Sequence, residues 1–125
     1  MSNSVLVIGG GIAGIQSALD LAEAGAQVYL VEKQATIGGL MAVLDKNFPT
    51  LDCSICIEAP KMSEVDLHPN IQIISPAEVI RVDGQVGEFR VQIRQETRVV
   101  TDECTRCGDC TAVCPVVLPS VYDSG

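Results

Sequence analysis

Positive charge is scarce in this chain. Eight Lys and Arg residues stand against sixteen Asp and Glu, for a formal net charge of −8. The eight are scattered, so neither a phosphate-binding patch for nucleic acid nor a polybasic membrane anchor is expected. No apolar run approaches the roughly 20 residues of a membrane span. Met1-Ser2-Asn3-Ser4 lacks the positive charge of a secretory leader, and the apolar stretch behind it runs straight into glycines. The acidic residues show no pairing that would suit hydrolytic chemistry. Histidine occurs once, in Leu67-His68-Pro69-Asn70, and reads as a loop residue that helps to cap or turn. There is no internal repeat and no low-complexity segment.

Apolar residues make up 47% of the 125, enough for the packed core of one ordinary domain. Six cysteines in so short a chain raise the prospect of a secreted disulfide scaffold. The missing leader and the spacing of four of the six oppose it. The expectation is a soluble protein of a reducing cytoplasm.

Residues 5–8 (VLVI) form a short continuous apolar run, the pattern of a strand buried on both faces of a parallel sheet. Three glycines follow. Residues 12–24 place Ile15, Leu19 and Ala22 at helical spacing, with Gly25 positioned to end the helix. Residues 27–32 read as a second strand, which completes a βαβ unit. Residues 33–62 are irregular by pattern, punctuated by Gly38-Gly39, Pro49 and Pro60, with a short helix near 60–66. Residues 71–74 (IQII) form the third strand. Residues 88–94 alternate, Phe89, Val91 and Ile93 against Arg90, Gln92 and Arg94, as in an antiparallel strand with one wet face. Residues 79–82 can pair with it across a turn at 83–87. A change of composition near Thr101 divides residues 1–98 from 99–125.

Gly9-Gly10-Gly11-Ile12-Ala13-Gly14 matches G-x-G-x-x-G between a buried-type strand and a helix, and Glu32 follows 18 residues after Gly14. Gly9 permits the tight turn, Gly11 lets backbone approach a pyrophosphate, and Gly14 lets helix pack on strand. The helix N-terminus turns free N–H groups toward phosphate, and Glu32 can accept from an adenosine ribose. Glu32-Lys33 is followed by Gly38-Gly39. That pair resembles the flavin-side glycines of two-dinucleotide-domain flavoproteins and favours FAD over NAD.

Cys104-x-x-Cys107-x-x-Cys110-x-x-x-Cys114-Pro115 is the spacing that holds [4Fe–4S] clusters in bacterial-type ferredoxins. Its continuity and terminal proline distinguish it from the separated knuckles of zinc sites. Cys104, Cys107 and Cys110 are assigned to one cluster, while Cys114 would reach a second. Cys53-Ser54-Ile55-Cys56 has three readings: cluster ligands, a redox dithiol, or structural thiols. Its place in a proline-bracketed loop disfavours a thioredoxin-type motif, which opens a helix straight after a strand. Met41 and Met62 read as apolar gap-fillers.

With these residues on the page, the chain resembles the HdrA-type flavoproteins of heterodisulfide reductase. The resemblance rests on VLVIGGGIAGIQSALDLAEAGAQVYLVEK, on IGGLMAVLDKNFPTLDCSICIEAPKM, on HPNI, and on the cysteine run. It implies an α/β fold: a Rossmann-like FAD-binding half-domain of thioredoxin-reductase type with an antiparallel β meander, then a partial ferredoxin-like segment. Gly9, Gly11, Ile12, Ala13, Gly14, Glu32, Lys33, Gly38 and Gly39 would line FAD. Cys53 and Cys56 would belong to a further iron–sulfur or redox site. The activity implied is electron transfer or bifurcation, with partners among the other proteins of the complex, ferredoxin, and a hydrogenase or dehydrogenase donor. On this resemblance the chain is an N-terminal fragment, with a second cysteine run and later strands beyond Gly125. Those strands would cover residues 71–74. Without them an exposed apolar sheet would favour a homodimer or aggregation, and the fragment would be inactive. A pyridine-nucleotide–disulfide reductase using Cys53 and Cys56 is the alternative.

Overall fold

The computed structural model describes residues 3–49, 51–98, 100 and 103–116. Three parallel strands form its centre: β1 (Ser4–Ile8), β2 (Gln27–Val31) and β5 (Ile71–Ile74), in the order β1-β2-β5. Val5 stands opposite Val28, which in turn stands opposite Ile71. Helix α1 (Ile12–Glu23) makes the crossover from β1 to β2 and lays Ile15, Ala18, Leu19 and Ala22 on the sheet. The 3.6-residue period puts these four on one stripe. Gly25 ends the helix in the left-handed region at φ +87°, its N–H donating to the Ala22 carbonyl.

The core joins that stripe to Ala26, Val28, Leu30, Val65 and Ile71. Ile15, Val28 and Leu30 are fully enclosed. Burying each side chain of this size contributes about 1.5–3 kcal/mol. Val65 comes from α2 (Ser54–Leu67), which packs on α1, on β5 and on a 3-10 turn at Met41–Val43.

Helix α2 corrects the sequence reading. Residues 33–62 were expected to be irregular, with a helix only near 60–66. The helix instead starts at Ser54 and runs 14 residues with Pro60 inside it. Directly before it, β3 (Lys46–Asn47) and β4 (Asp52–Cys53) form a two-pair antiparallel ladder.

The antiparallel pair is longer than expected. β6 (Ala77–Gln85) and β7 (Glu88–Gln95) pair, with one register shift between Val79 and Arg81, as far as Gln85 opposite Glu88, leaving only Val86 and Gly87 as the loop. Gly87 takes φ +92°, a region open to glycine at little cost. Val91 and Ile93 are half-buried but Phe89 is exposed, so the apolar face is covered at one end only. In the parallel sheet it is Ile8 of β1, at 63% exposure, that faces solvent, while Ile71 of the 71–74 segment is buried. A last short helix, α3 (Asp109–Ala112), lies within the cysteine run. The expected boundary at Thr101 lies outside the described residues.

Candidate functional site

The loop from β1 into α1 is shaped by what its glycines allow. Gly9 sits at φ +99° and donates its N–H to the Val31 carbonyl at 2.8 Å. A Cβ on Gly14 would lie 1.8 Å from the Gly9 carbonyl oxygen, so no side chain fits there. Gly11, the cap of α1, has extended backbone at φ −77°, and a Cβ there would meet nothing within 4 Å. The chain touches itself at Gly14 and leaves open space at Gly11. That space is where a ligand's backbone could approach, with the first-turn N–H groups of α1 beside it.

The second glycine pair closes the other wall. Gly38 donates to the Gly10 carbonyl at 2.6 Å and bridges to Gly11. Gly39 adopts φ +57°, and a Cβ on it would press on the Gly11 Cα at 3.1 Å. The result is an open cleft of about 430 Å³ lined by Ile8, Gly9, Gly11, Ile12, Ala13, Gly14, Gly38, Leu40 and Met41. Glu32 fastens the glycine loop. Its Oε2 accepts from the Gly10 N–H at 2.6 Å and its Oε1 from the Gln34 N–H at 2.7 Å. A glycine cradle at a helix N-terminus, with a carboxylate at the end of the next strand, fits a dinucleotide such as FAD.

Six of the nine residues expected to line the cofactor lie on this cleft, and Gly39 and Glu32 brace it. Lys33 does not reach it. Its ammonium pairs with Glu78 of β6 at 3.2 Å, and Arg94 of β7 holds the other oxygen of Glu78 at 2.9 Å. The hydrogen bond and charge of Lys33, then those of Arg94, hold the Glu78 carboxyl below its ordinary value. Ile8, Leu40 and Met41 are lining residues the sequence did not indicate, because only the fold brings them to the glycines. Met41 therefore borders the cleft rather than filling the core, while the Met62 sulfur lies 3.1 Å from where a Gly38 Cβ would be.

Cys53 and Cys56 correct a second reading. They lie at a strand–helix junction, not in a loop: Cys53 ends β4 and caps α2. Their sulfurs are joined as a disulfide with the Cα atoms 5.2 Å apart, and Cys53 Sγ accepts the Cys56 N–H at 3.3 Å. His68 is the C-cap of α2, and its Nδ1 accepts from the Asn70 N–H at 3.1 Å, a turn-forming role.

Cys104, Cys107, Cys110 and Cys114 are all exposed free thiols. Among the described residues no three His, Cys, Asp or Glu side chains are gathered into a metal-holding group. The donor chemistry, four unpaired thiols at ferredoxin spacing, suits an iron–sulfur cluster; the geometry shown does not converge on one. No helix among the described residues is long and apolar enough to cross a membrane.

The cleft and its sheet define a dinucleotide-binding protein of the Rossmann-like class. The family model for FAD-dependent oxidoreductases matches residues 4–124, and the chain belongs to that family. Its curated relatives are the HdrA proteins of heterodisulfide reductase. The second of two such iron–sulfur proteins of the CoB–CoM heterodisulfide reductase of Methanopyrus kandleri is 56% identical over 126 aligned positions, which cover 100% of this chain and 19% of the relative. The corresponding protein of the H2:CoB–CoM heterodisulfide,ferredoxin reductase of Methanothermobacter marburgensis is 53% identical, with the same coverage of 100% and 19%. The chain thus spans about a fifth of the length of these curated relatives. Among solved structures, L-proline dehydrogenase from P. horikoshii superposes with a TM-score of 0.61 at 26% identity, over 74% of this chain and 20% of that one.

Proposed function

We propose that this chain is the flavin-anchoring part of an electron-transfer subunit of the heterodisulfide reductase type. The single observation that carries the reading is the cleft at the start of α1, where Gly11 leaves open space beside first-turn N–H groups and Glu32 holds the Gly10 N–H of the glycine loop. The N–H groups of Ile12, Ala13 and Gly14 would face a pyrophosphate, while Glu32 would accept from a ribose hydroxyl. Leu40 and Met41 would shield the flavin side from water. FAD, when bound, supplies one- and two-electron chemistry.

In this reading Cys104, Cys107 and Cys110 take a [4Fe–4S] cluster, and Cys114 serves a second. Electrons then pass, or are bifurcated, between a donor, ferredoxin and a disulfide acceptor. The partners are other subunits of a heterodisulfide reductase-type complex, ferredoxin, and a hydrogenase or dehydrogenase, in the cytoplasm. The domain assignment, residues 1–98 for flavin and 99–125 for the cluster segment, is part of the same proposal.

The test is flavin and iron per chain, on protein prepared without oxygen and reconstituted with iron and sulfide. Iron bound through the four late cysteines together with flavin supports the reading. Zinc in place of iron would sink it. A second reading, a flavoprotein that uses Cys53 and Cys56 as a redox dithiol, is favoured by their disulfide at the head of α2. Alkylation with and without reductant separates the two: a dithiol is labelled after reduction alone, a cluster pair only once iron is stripped.

A further inference from the structure

Residues 37–39 meet the glycine loop at Gly10 and Gly11. Ile37 is buried, and a Cβ on Gly10 would lie 2.8 Å from the Ile37 Cγ2 and 3.1 Å from its Cβ. Gly10 stands at a position that the G-x-G-x-x-G spacing leaves free, so its small size here answers to Ile37. One residue on, Gly38 donates to the Gly10 carbonyl and bridges to Gly11, and Gly39 rests on the Gly11 Cα.

Gly38 is closed in on a further side. A Cβ on it would meet the Ala42 Cβ at 2.7 Å, the Met62 Sδ at 3.1 Å and the Met62 Cε at 3.3 Å. Met62 comes from α2, and its half-buried side chain packs against the core. The rest of the buried face of α2 is set elsewhere. Ser54 is held by Asp45 and Asn47, and Val65 lies in the core. Glu58 is fully enclosed, which pushes its carboxyl above the ordinary value, and neither oxygen has a hydrogen-bond partner among the described residues. Of these, Met62 is the side chain that reaches the glycine wall.

We propose that Ile37 and Met62 are the positioning residues of the flavin cleft. Ile37 presses the second glycine pair onto the first, and Met62 supports that pair from α2. The inference rests on the flavin reading of the cleft. Neither side chain lines the cleft, so both act through the glycines. A glycine has no side chain with which to fix its own place, and its backbone is the freest of any residue. The two walls therefore keep their spacing through what packs on them, and a binding site needs that spacing held to about 0.5 Å. Truncating either side chain leaves a void beside the wall, into which the 38–39 segment can shift. Coupling of this kind is reciprocal. Flavin in the cleft should hold the later turns of α2, those with Met62 and Val65, in their seat.

The experiment titrates FAD into the native full chain and into Ile37→Ala, Met62→Ala and Val28→Ala, read by flavin fluorescence, with denaturant unfolding of each beside it. Val28 is a fully buried core residue opposite Val5, at the end of the sheet away from the glycine loop. Its truncation measures what lost stability does by itself. Ile37→Ala and Met62→Ala should bind FAD at least about tenfold more weakly, while Val28→Ala binds as the native chain does. Ile37→Val and Met62→Leu, which keep most of each contact, should restore most of the affinity. Affinities that follow stability alone, with Val28→Ala as weak as the other two, overturn the proposal, as do variants that bind normally. Should the alanine variants fail to fold, amide exchange in the native chain decides. FAD that slows exchange both at Gly38 and in α2 beyond Lys61 supports the proposal; protection confined to residues 9–14 overturns it. A native chain that binds no FAD overturns the flavin reading and this inference with it, before any variant is made.

Discussion

The Gly10 N–H donates to Glu32 Oε2 at 2.6 Å, fastening the glycine loop after the first strand to the end of the second. The other Glu32 oxygen holds the Gln34 N–H at 2.7 Å, so one carboxylate sets two turns at once. Glutamine offers one acceptor and would turn an N–H₂ group at one of the two donors. Glu32→Gln should therefore lower stability by about 1.5 kcal/mol, the low end for hydrogen bonds to a charge, and weaken flavin binding. Denaturant unfolding and flavin titration check it; unchanged values in both would remove Glu32 from the loop's support.

Two glycines three residues apart should fail differently. Gly14→Ala drives a methyl into the Gly9 carbonyl, whereas Gly11→Ala meets no atom of the chain within 4 Å. The first should lose both thermal stability and flavin. The second should keep its melting temperature and circular dichroism while losing flavin at least about tenfold, the equivalent of 1.4 kcal/mol. Flavin bound normally by Gly11→Ala would place the cofactor elsewhere.

Glu58 gives a pH signature to stability. Its folded value is raised above the ordinary 4.5, so the folded state holds its proton more tightly than the unfolded chain. Stability from this group is full below the unfolded value and declines as pH rises through the folded one. Glu58→Leu removes the buried carboxyl and should be more stable than the native chain at neutral pH, with a flatter profile. A native profile that rises across that window would contradict the sign.

The Glu78 link runs the other way. Lys33 and Arg94 hold its carboxyl low, so its contribution is present above the unfolded value and is lost as pH falls through the folded one. Side chains this exposed are screened by salt. Glu78→Gln should matter little in high salt and most in dilute buffer above the acid range, read as a shift in the unfolding midpoint. A shift that survives high salt would mean the pair acts through packing.

The first βαβ unit was legible because its signals are local: an unbroken apolar strand, a stripe containing Ile15, Leu19 and Ala22, and a glycine wherever the chain needs one. Helix α2 was not. Its fully buried positions include Ser54 and Glu58, which break the apolar period, and Pro60 reads as punctuation when it lies inside the helix. Cysteine is not among the usual capping residues, so Cys53 gave no start signal. The Lys33–Glu78 contact was not legible either, since the two lie 45 positions apart and nothing local announces the pairing. The cleft's glycines could be named from their spacing. Its rim at Ile8, Leu40 and Met41 could not, since only tertiary packing brings these separate segments together.

Pro60 has a consequence for the sulfur pair. A proline has no N–H, and the carbonyl it would have bonded, four residues earlier, is that of Cys56. The backbone ladder of α2 is thus interrupted at the residue that carries the exposed sulfur. The turn bearing the disulfide is uncoupled by one rung from the turns that hold Met62 against Gly38 and Val65 in the core. It can breathe as a small hinge of its own, so amide exchange there should run ahead of the rest of the helix, with the flavin wall left undisturbed.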